Sequence, residues 1–159
     1  MGQSNQIAKE DLTVQKTWKI AIVKALFNNH ITEKITGSCL KQFVDLGMSP
    51  EQVKVFTVAG ALEIPLAADW ALSGDFDAVV AVGAVIRGET THYEYVCNGV
   101  ESGCMQVQLK NQKPIAQAVL TVENEKQALD RCGGSHGDKG KEAADVVVSM
   151  LNLKLKVSP

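Results

Sequence analysis

The sequence predicts an α/β domain with a four-stranded parallel sheet flanked by helices, and three observations support this prediction. Apolar runs of strand length alternate along the chain with amphipathic segments of helix length. The connections are short, and two of the helical segments end on glycine, at Gly47 and Gly74. No internal repeat or low-complexity tract interrupts the order. This alternation is typical of a three-layer flavodoxin-like fold, with helices on both faces of the sheet.

The predicted elements follow one another from residue 18. The strands are WKIAIVKA (residues 18–25), VKVFTV (53–58), AVVAVGAVI (78–86) and PIAQAVLT (114–121). The helices are ITEKITGSCLKQFVDLG (31–47), LEIPLAADWALSG (62–74), residues 91–109, NEKQALDRC (124–132) and DKGKEAADVVVSMLNLKL (138–155), and the glycine-rich GGSHG separates the last two. Ligands of parallel α/β sheets bind outside the carboxyl ends of the strands. We therefore expect a site built from the segments that follow the strands.

Length and charge narrow the classes of function. A chain of 159 residues suits a single domain with its own core. The formal net charge is −2 and charges of both signs are interleaved, so no nucleic-acid partner is expected. The four cysteines form no C-x-x-C pair, which indicates neither a zinc knuckle nor a redox pair, and reduced thiols favour a cytoplasmic location.

The N-terminal segment MGQSNQIAKEDLTVQK lacks the apolar stretch of a signal peptide, and Gln6 stands where N-myristoylation needs Ser or Thr. We therefore expect no membrane association. Residues 1–16 are predicted to be a flexible arm, followed by one domain over residues 17–159. Ile7, Leu12 and Val14 could alternatively add an edge strand to a neighbouring molecule.

The junction GETTH, residues 88–92, follows the third strand and opens the third helix. Thr91 and Glu94 fit the S/T-x-x-E pattern of a capping box, which local pattern alone favours. The alternative is an anion cradle, because Gly88 permits a close approach and the first N–H groups of the helix face the strand edge. The helix dipole disfavours protonation of His92, so this histidine could transfer protons near neutral pH.

Three more residues at the strand ends each have a structural and a functional interpretation. Glu63 begins a helix, where a carboxylate caps by default, and it could also accept hydrogen bonds from a polar substrate. Phe27 could stack on a flat ring, although statistics favour core packing. Arg131 is an ordinary helix-terminal cation that could also pair with a phosphate.

Two nucleotide motifs are excluded. A P-loop would need Gly in place of Ser135 and Ser or Thr in place of Glu142, and no G-x-G-x-x-G follows a strand.

The residues just described resemble the lumazine synthase family from about residue 18 to residue 153. The segments that carry the resemblance are LFNN, AGALEIPLAA, DAVVAVGAVIRGETTHYEYVCN, PIAQAVLT and ALDRCGGSHGDKGKEAA. The block GAVIRGETTHYEYV is highly specific, whereas LFN alone is weak. The resemblance implies condensation of 5-amino-6-(D-ribitylamino)uracil with 3,4-dihydroxy-2-butanone 4-phosphate to 6,7-dimethyl-8-ribityllumazine, with release of phosphate and water. This is the penultimate step of riboflavin synthesis, and it needs no metal or organic cofactor.

The resemblance also implies a role for each site residue. Phe27 would stack on the pyrimidine, Glu63 would hold the ribityl chain, and His92 would shuttle protons. The implied pyrimidine and ribityl contacts are Phe27, Asn28, Ala61, Leu62, Glu63, Val85 and Ile86. The implied phosphate contacts are Glu89, Thr90, Thr91 and Arg131, with Arg131 supplied by the adjacent subunit. Gln117 and Lys139 occupy further positions near the implied site.

The sequence departs from the family pattern at several positions. The family commonly has Pro at position 59, often Phe at 62, and Asn at 138, where this chain has Ala59, Leu62 and Asp138. It commonly has Phe-Gly where this chain has Gln117-Ala118, so a ring is missing near the substrate pocket at the subunit boundary.

The resemblance implies a homopentamer, and the short RCGGSHGDKGKE connection favours a 60-subunit icosahedral shell. Riboflavin synthase is a further partner that the resemblance allows. Two competing functions are an archaeal-type riboflavin synthase and a non-catalytic shell or flavin-binding protein of the same fold. A riboflavin synthase would not need the phosphate cradle, and a non-catalytic protein would have little reason to keep His92, Arg131 and Glu63 together.

Overall fold

A computed structural model describes residues 6–158 of the chain. Four parallel strands form the main sheet, and they are Ile20–Ala25 (β1), Val53–Val58 (β2), Ala78–Ile86 (β3) and Ile115–Val122 (β4). The helices are Asn29–Asp45 (α1), Ile64–Ser73 (α2), His92–Asn111 (α3), Glu125–Leu129 (α4) and Lys139–Val157 (α5). Short 3-10 turns cover Lys9–Leu12, Pro50–Gln52 and Ala61–Glu63. The predicted three-layer flavodoxin-like fold is confirmed.

The sheet order is β2-β1-β3-β4, with every neighbouring pair parallel. The chain moves from β1 outward to β2 and then crosses back over β1 to β3. The connections that leave β1 and β3 therefore run in opposite directions. A crevice opens between two such strands at their carboxyl ends, and this is where sheets of this type bind ligands.

Side chains of the central strands alternate between two cores, because successive residues of a strand point to opposite faces. Ile20 and Ile22 belong to the core beneath α1 and α5. Ala21 and Val23 belong to the core beneath α2 and α3. Both faces of the sheet are therefore covered, which explains why β1, apart from Lys24, and β3 are made of apolar residues.

The glycine-rich GGSHG segment was expected only to separate two helices. Instead it forms an antiparallel hairpin of Cys132–Gly134 (β5) and Gly137–Asp138 (β6). Gly133 and Gly137 have φ values of 90° and 91°, a region that L side chains rarely adopt, so these glycines permit the turn.

Residues 9–14 of the predicted N-terminal arm lie against α5. The side-chain amide of Asn152 donates to the carbonyl groups of Asp11 and Thr13, at 2.9 and 2.8 Å. Leu12 and Val14 pack against the core beneath α1 and α5. Residues 1–5 of the arm lie outside the described residues, and the division of the chain at residue 17 stays a prediction. Among the helices of residues 6–158, none is both long and apolar enough to cross a membrane.

Candidate active site

A cavity of about 380 Å³ opens at the carboxyl ends of β1, β2 and β3. It lies where the sheet topology predicts a crevice, on the side of the sheet that carries α2 and α3. Its wall includes eight residues that the sequence assigned to the site, namely Phe27, Ala61, Leu62, Glu63, Val85, Ile86, Thr90 and His92. The fold thus gathers the segments after three separate strands into one concave surface.

Phe27 forms an exposed aromatic wall of this cavity. Its backbone N–H donates to the carbonyl of Ala59 at 3.1 Å, which ties the residue after β1 to the residue after β2. The side chain is nevertheless 71% exposed. The interpretation of Phe27 as a core residue, which statistics favoured, is therefore wrong. An aromatic ring left uncovered at a cavity is free to stack on a flat ligand.

Asn28 links the segment after β1 to β3 by a hydrogen bond. It adopts a left-handed conformation with φ 56°, which Asn tolerates better than most residues. Its side-chain amide donates to the carbonyl of Ala84 in β3 at 2.8 Å. Asn28 is absent from the cavity wall in this conformation, although the sequence placed it among the substrate contacts.

Glu63 has the capping role that was its default interpretation, at the 3-10 turn before α2. One carboxylate oxygen accepts the N–H of Gly60 at 2.9 Å, which closes the 3-10 turn Ala61–Glu63. The carboxylate also lines the cavity, and within the described residues its Oε1 atom has no hydrogen-bond partner. That oxygen is available to accept a hydrogen bond from a ligand hydroxyl or amine.

The junction from Gly88 to Thr91 leaves its backbone donors free. Within residues 6–158, no hydrogen bond uses the N–H groups of Glu89, Thr90 or Thr91 as donors. A Cβ atom added at Gly88 would meet no atom of the described chain within 4 Å. Neither internal packing nor φ therefore requires glycine at this position, whereas close approach of a ligand would.

The predicted capping box at the start of α3 is wrong. Thr91 precedes the helix but its side chain makes no capping hydrogen bond. The hydroxyl of Thr90 instead accepts the N–H of His92 at 3.3 Å. The carboxylate of Glu94 binds the guanidinium of Arg87 rather than turning back to the helix start. The exposed His92 and Thr90 both line the cavity, while Glu89 and Thr91 contribute no side chain to its wall.

Two pKa values at this junction are shifted, and the shifts have different causes. Hydrogen bonding to Arg87 lowers the pKa of the Glu94 carboxyl below its ordinary value. Burial raises the pKa of Tyr93, whose ring lies 4.2 Å from the guanidinium carbon of Arg87. The carboxylate of Glu94 therefore stays ionised throughout the neutral range.

Arg131, Lys139 and Gln117 do not reach this cavity within one chain. The Arg131 guanidinium donates to the carbonyl of Gln127 at 2.8 Å, and the Lys139 ammonium lies 3.6 Å from the Glu142 carboxylate. Gln117 lies on β4, the edge strand opposite β2, beside a separate groove along α3, and its buried Oε1 atom has no hydrogen-bond partner in the described chain.

Besides Gly88, five residues of the cavity wall were not assigned to the site from the sequence: Ala25, Gly60, Ala84, Tyr93 and Val96. Tyr93 and Val96 follow His92 by one and four residues on α3. The sequence already placed both residues in the first turns of a helix that starts at the edge of the sheet, and this position could have indicated that they line the site. Ala25 and Ala84 are the last fully buried residues of their strands.

Comparisons with known proteins agree with the resemblance carried by the motifs. The pattern of the family described as 6,7-dimethyl-8-ribityllumazine synthase matches residues 17–155. A protein named 6,7-dimethyl-8-ribityllumazine synthase from Coxiella burnetii (strain CbuG_Q212) is 45% identical over 144 residues, which cover 90% of this chain and 95% of that protein.

Two proteins of the same name from other organisms are also similar to this chain. That of Bdellovibrio bacteriovorus is 45% identical over 141 residues, covering 87% of this chain and 76% of the relative. That of Pediococcus pentosaceus is 40% identical over 137 residues, covering 86% and 88%. The chain therefore belongs to the 6,7-dimethyl-8-ribityllumazine synthase family, whose members are enzymes of riboflavin biosynthesis.

Proposed function

We propose that the cavity at the carboxyl ends of β1, β2 and β3 is the place where this chain carries out the reaction of its family. The chain is a lumazine synthase, which condenses 5-amino-6-(D-ribitylamino)uracil with 3,4-dihydroxy-2-butanone 4-phosphate. The products are 6,7-dimethyl-8-ribityllumazine, phosphate and water. One observation carries the proposal: an exposed aromatic ring, an available carboxylate oxygen and a helix start with unused N–H groups line one cavity, beside a histidine.

The pyrimidine ring is proposed to stack on Phe27. The surrounding wall is apolar, because Val85, Ile86, Ala61 and Leu62 form it, and burial of the ring against this wall favours binding. Polar contacts then fix the orientation of a ligand in such a pocket. Glu63 supplies one, since its free oxygen can accept hydrogen bonds from ribityl hydroxyl groups.

The phosphate is proposed to lie on the start of α3. The N–H groups of Glu89, Thr90 and Thr91 are unengaged, and the positive end of the helix dipole favours an anion there. Arg131 of a neighbouring subunit would add a charge-assisted contact, and Lys139 belongs to the same segment of that neighbour. The location of Arg131 away from the cavity of its own chain supports a shared site.

His92 is proposed to transfer protons. Attack of the substrate amine on the ketone gives an imine with loss of water, and elimination of phosphate needs a proton to leave the adjacent carbon. Both steps need a group that can accept and return a proton. His92 lies beside the proposed phosphate position, so it could serve both, while holding two reactants together supplies much of the rate.

Assembly into a homopentamer is proposed because a shared site requires at least two subunits and the family resemblance implies five. A head-to-tail contact that closes is an ordinary way to form a ring of subunits. Trp70 and Leu109 are 69% and 60% exposed, so large apolar side chains are available for subunit contacts. The short hairpin of β5 and β6 supports further assembly into a 60-subunit shell.

Two further proposals concern the surroundings of the enzyme. The four cysteines are free thiols, which supports a reducing, cytoplasmic location. Riboflavin synthase is proposed as a partner because it consumes the lumazine product. An archaeal-type riboflavin synthase activity is not favoured for the chain itself, since the family match and the named relatives are lumazine synthases.

The test is an assay of the purified chain with both substrates, in the presence and absence of a chelator. We expect one phosphate released for each lumazine formed, at the same rate with chelator. A parallel reaction with lumazine alone tests riboflavin synthase activity, and we expect no riboflavin. Riboflavin from lumazine without any condensation, or a rate restored only by an added metal, would refute the proposed function.

A further inference from the structure

Arg87 joins the two sides of the junction that precedes His92. It is the first residue after β3, and its N–H donates to the carbonyl of Val122 at 2.9 Å, which extends the β3–β4 pairing by one hydrogen bond. Its Nε donates to the carboxylate of Glu123 at 2.8 Å. Its Nη1 donates to the carboxylate of Glu94 in the first turn of α3. One guanidinium thus connects the ends of β3 and β4 with the start of α3.

The ring of Tyr93 lies against the same guanidinium, although the Arg87 side chain stays 37% exposed. The guanidinium carbon lies 4.2 Å from the ring centroid, within the range of a cation–π contact. Two carboxylates and an aromatic face therefore fix the side chain in one orientation. Arginine suits this place because its planar fork can donate in two directions and stack at once, which an ammonium cannot.

The segment between Arg87 and Tyr93 has few contacts of its own. Within the described residues, the only side-chain hydrogen bond made by residues 88–91 is that between the Thr90 hydroxyl and the N–H of His92. The side chain of Arg87 bridges this segment. Arg87 precedes Gly88 in the chain, and its guanidinium contacts Tyr93 and Glu94, which follow His92. Its contacts therefore restrict the positions of the free N–H groups and of His92.

The two carboxylates set the orientation of the guanidinium. Nε binds the carboxylate of Glu123 and Nη1 binds that of Glu94, while Nη2 makes no hydrogen bond within the described residues. Because Glu94 and Glu123 hold two sides of the planar group, Arg87 acts on the junction through these carboxylate partners.

We propose that Arg87 is a positioning residue, which holds the segment 88–91 and His92 in place through Glu94, Glu123 and Tyr93. This inference rests on the proposed function of the cavity. It differs from direct phosphate binding by Arg87 in what it requires of Glu94. A positioning role needs the Glu94 carboxylate, whereas direct binding would be helped by its removal.

The experiment compares Arg87→Lys, Glu94→Gln and the double variant with wild type. The readouts are the Kd of inorganic phosphate by calorimetry and the KM of each substrate. We expect both single variants to weaken phosphate binding and raise the KM of the phosphorylated substrate about tenfold, the scale of one charge-assisted contact. The KM of the pyrimidine substrate should stay within about twofold of the wild-type value. The double variant should bind phosphate no more weakly than the single variant that binds it more weakly, because the two residues act as a unit.

Lys41→Gln is the matched control, since Lys41 also forms an ion pair with a carboxylate, Asp45, but lies on α1. It should leave all readouts unchanged. Phosphate binding by Glu94→Gln that equals or exceeds that of wild type would overturn the positioning role, and so would wild-type behaviour of Arg87→Lys. A wild-type chain that forms no lumazine would refute the proposed function instead, so the two failures can be told apart.

Discussion

The side-chain amide of Asn28 donates to the carbonyl of Ala84 at 2.8 Å, and this bond joins the segment after β1 to β3. It holds two cavity residues near each other, since Phe27 precedes Asn28 and Val85 follows Ala84. The left-handed backbone of Asn28, with φ 56°, aims the amide at β3.

Substitutions at Asn28 should separate the backbone and side-chain effects. Asn28→Gly keeps access to the left-handed conformation and loses the hydrogen bond, so the free energy of unfolding should fall by about 1 kcal/mol. In Asn28→Ala the free energy of unfolding should fall by roughly a further 1 kcal/mol, because the left-handed conformation destabilises an L residue with a Cβ atom by about that amount. Denaturant unfolding at matched protein concentration measures both. Equal losses would contradict the role assigned to the backbone.

His92→Ala should lower kcat by about ten- to a hundredfold and leave measurable activity. The exposed side chain contributes little packing, so the variant should fold like wild type. His30→Ala is the matched control, because His30 is exposed on α1 outside the cavity wall. Complete loss of activity with an intact fold would assign His92 more than proton transfer.

Arg131→Ala should raise the KM of the phosphorylated substrate and leave the pyrimidine KM nearly unchanged, because only the phosphate would lose a contact. Lys126→Ala removes an exposed cation from α4, the short helix that ends two residues before Arg131, and should change neither value.

A mixing experiment tests the shared site. At a low concentration of the phosphorylated substrate, co-expressed His92→Ala and Arg131→Ala chains should be more active than the mean of the two separate variants, since some interfaces then combine an intact His92 with an intact Arg131. Activity equal to the mean of the two separate variants would show that both residues serve the site of one chain.

Acid should weaken the contact between α2 and α3 at Asp69. Its carboxylate binds the Lys110 ammonium and the Asn111 amide, both at 2.8 Å, and the hydrogen bond from Lys110 lowers its pKa most. A lowered pKa in the folded state means that the stabilisation is complete above the unfolded value of about 3.9 and is lost as pH falls below it.

Asp69→Asn should therefore be less stable than wild type at pH 7 and lose less further stability between about pH 5 and 3. Unfolding midpoints at several pH values measure this slope. Asp75→Asn is the control, because the Asp75 side chain is 86% exposed. An unchanged slope in Asp69→Asn would contradict the assignment.

The sheet and most helix boundaries could be predicted from the sequence because local pattern and tertiary context agree there. The run Ala78–Ile86 is apolar because both faces of β3 are covered, and the predicted strand matches it. The GGSHG hairpin could not be predicted in this way, since its strands, Cys132–Gly134 and Gly137–Asp138, are too short to show a period.

The sequence predicted the site residues that belong to a recognisable motif. It did not predict the exposure and the hydrogen-bond partners of side chains that depend on tertiary contacts. Phe27 is exposed because the chain turns at Asn28, which average burial of phenylalanine cannot show. The capping box failed because Arg87, seven residues before Glu94, competes for that carboxylate. The link from Arg87 to Glu123 joins two strands that are distant in sequence, so local pattern holds no sign of it.

The most direct test of the central claim, that lumazine forms in the cavity at the strand ends, is the kcat/KM of Gly88→Val beside that of Gly37→Val. A Cβ at either glycine meets no atom of the described chain within 4 Å, and neither requires a positive φ, so both variants should fold. Gly88 lines the cavity, whereas Gly37 is exposed on α1. We expect Gly88→Val to lose about a hundredfold in kcat/KM by displacing the phosphorylated substrate, and Gly37→Val to match wild type. Wild-type kcat/KM in Gly88→Val would contradict the location of the active site.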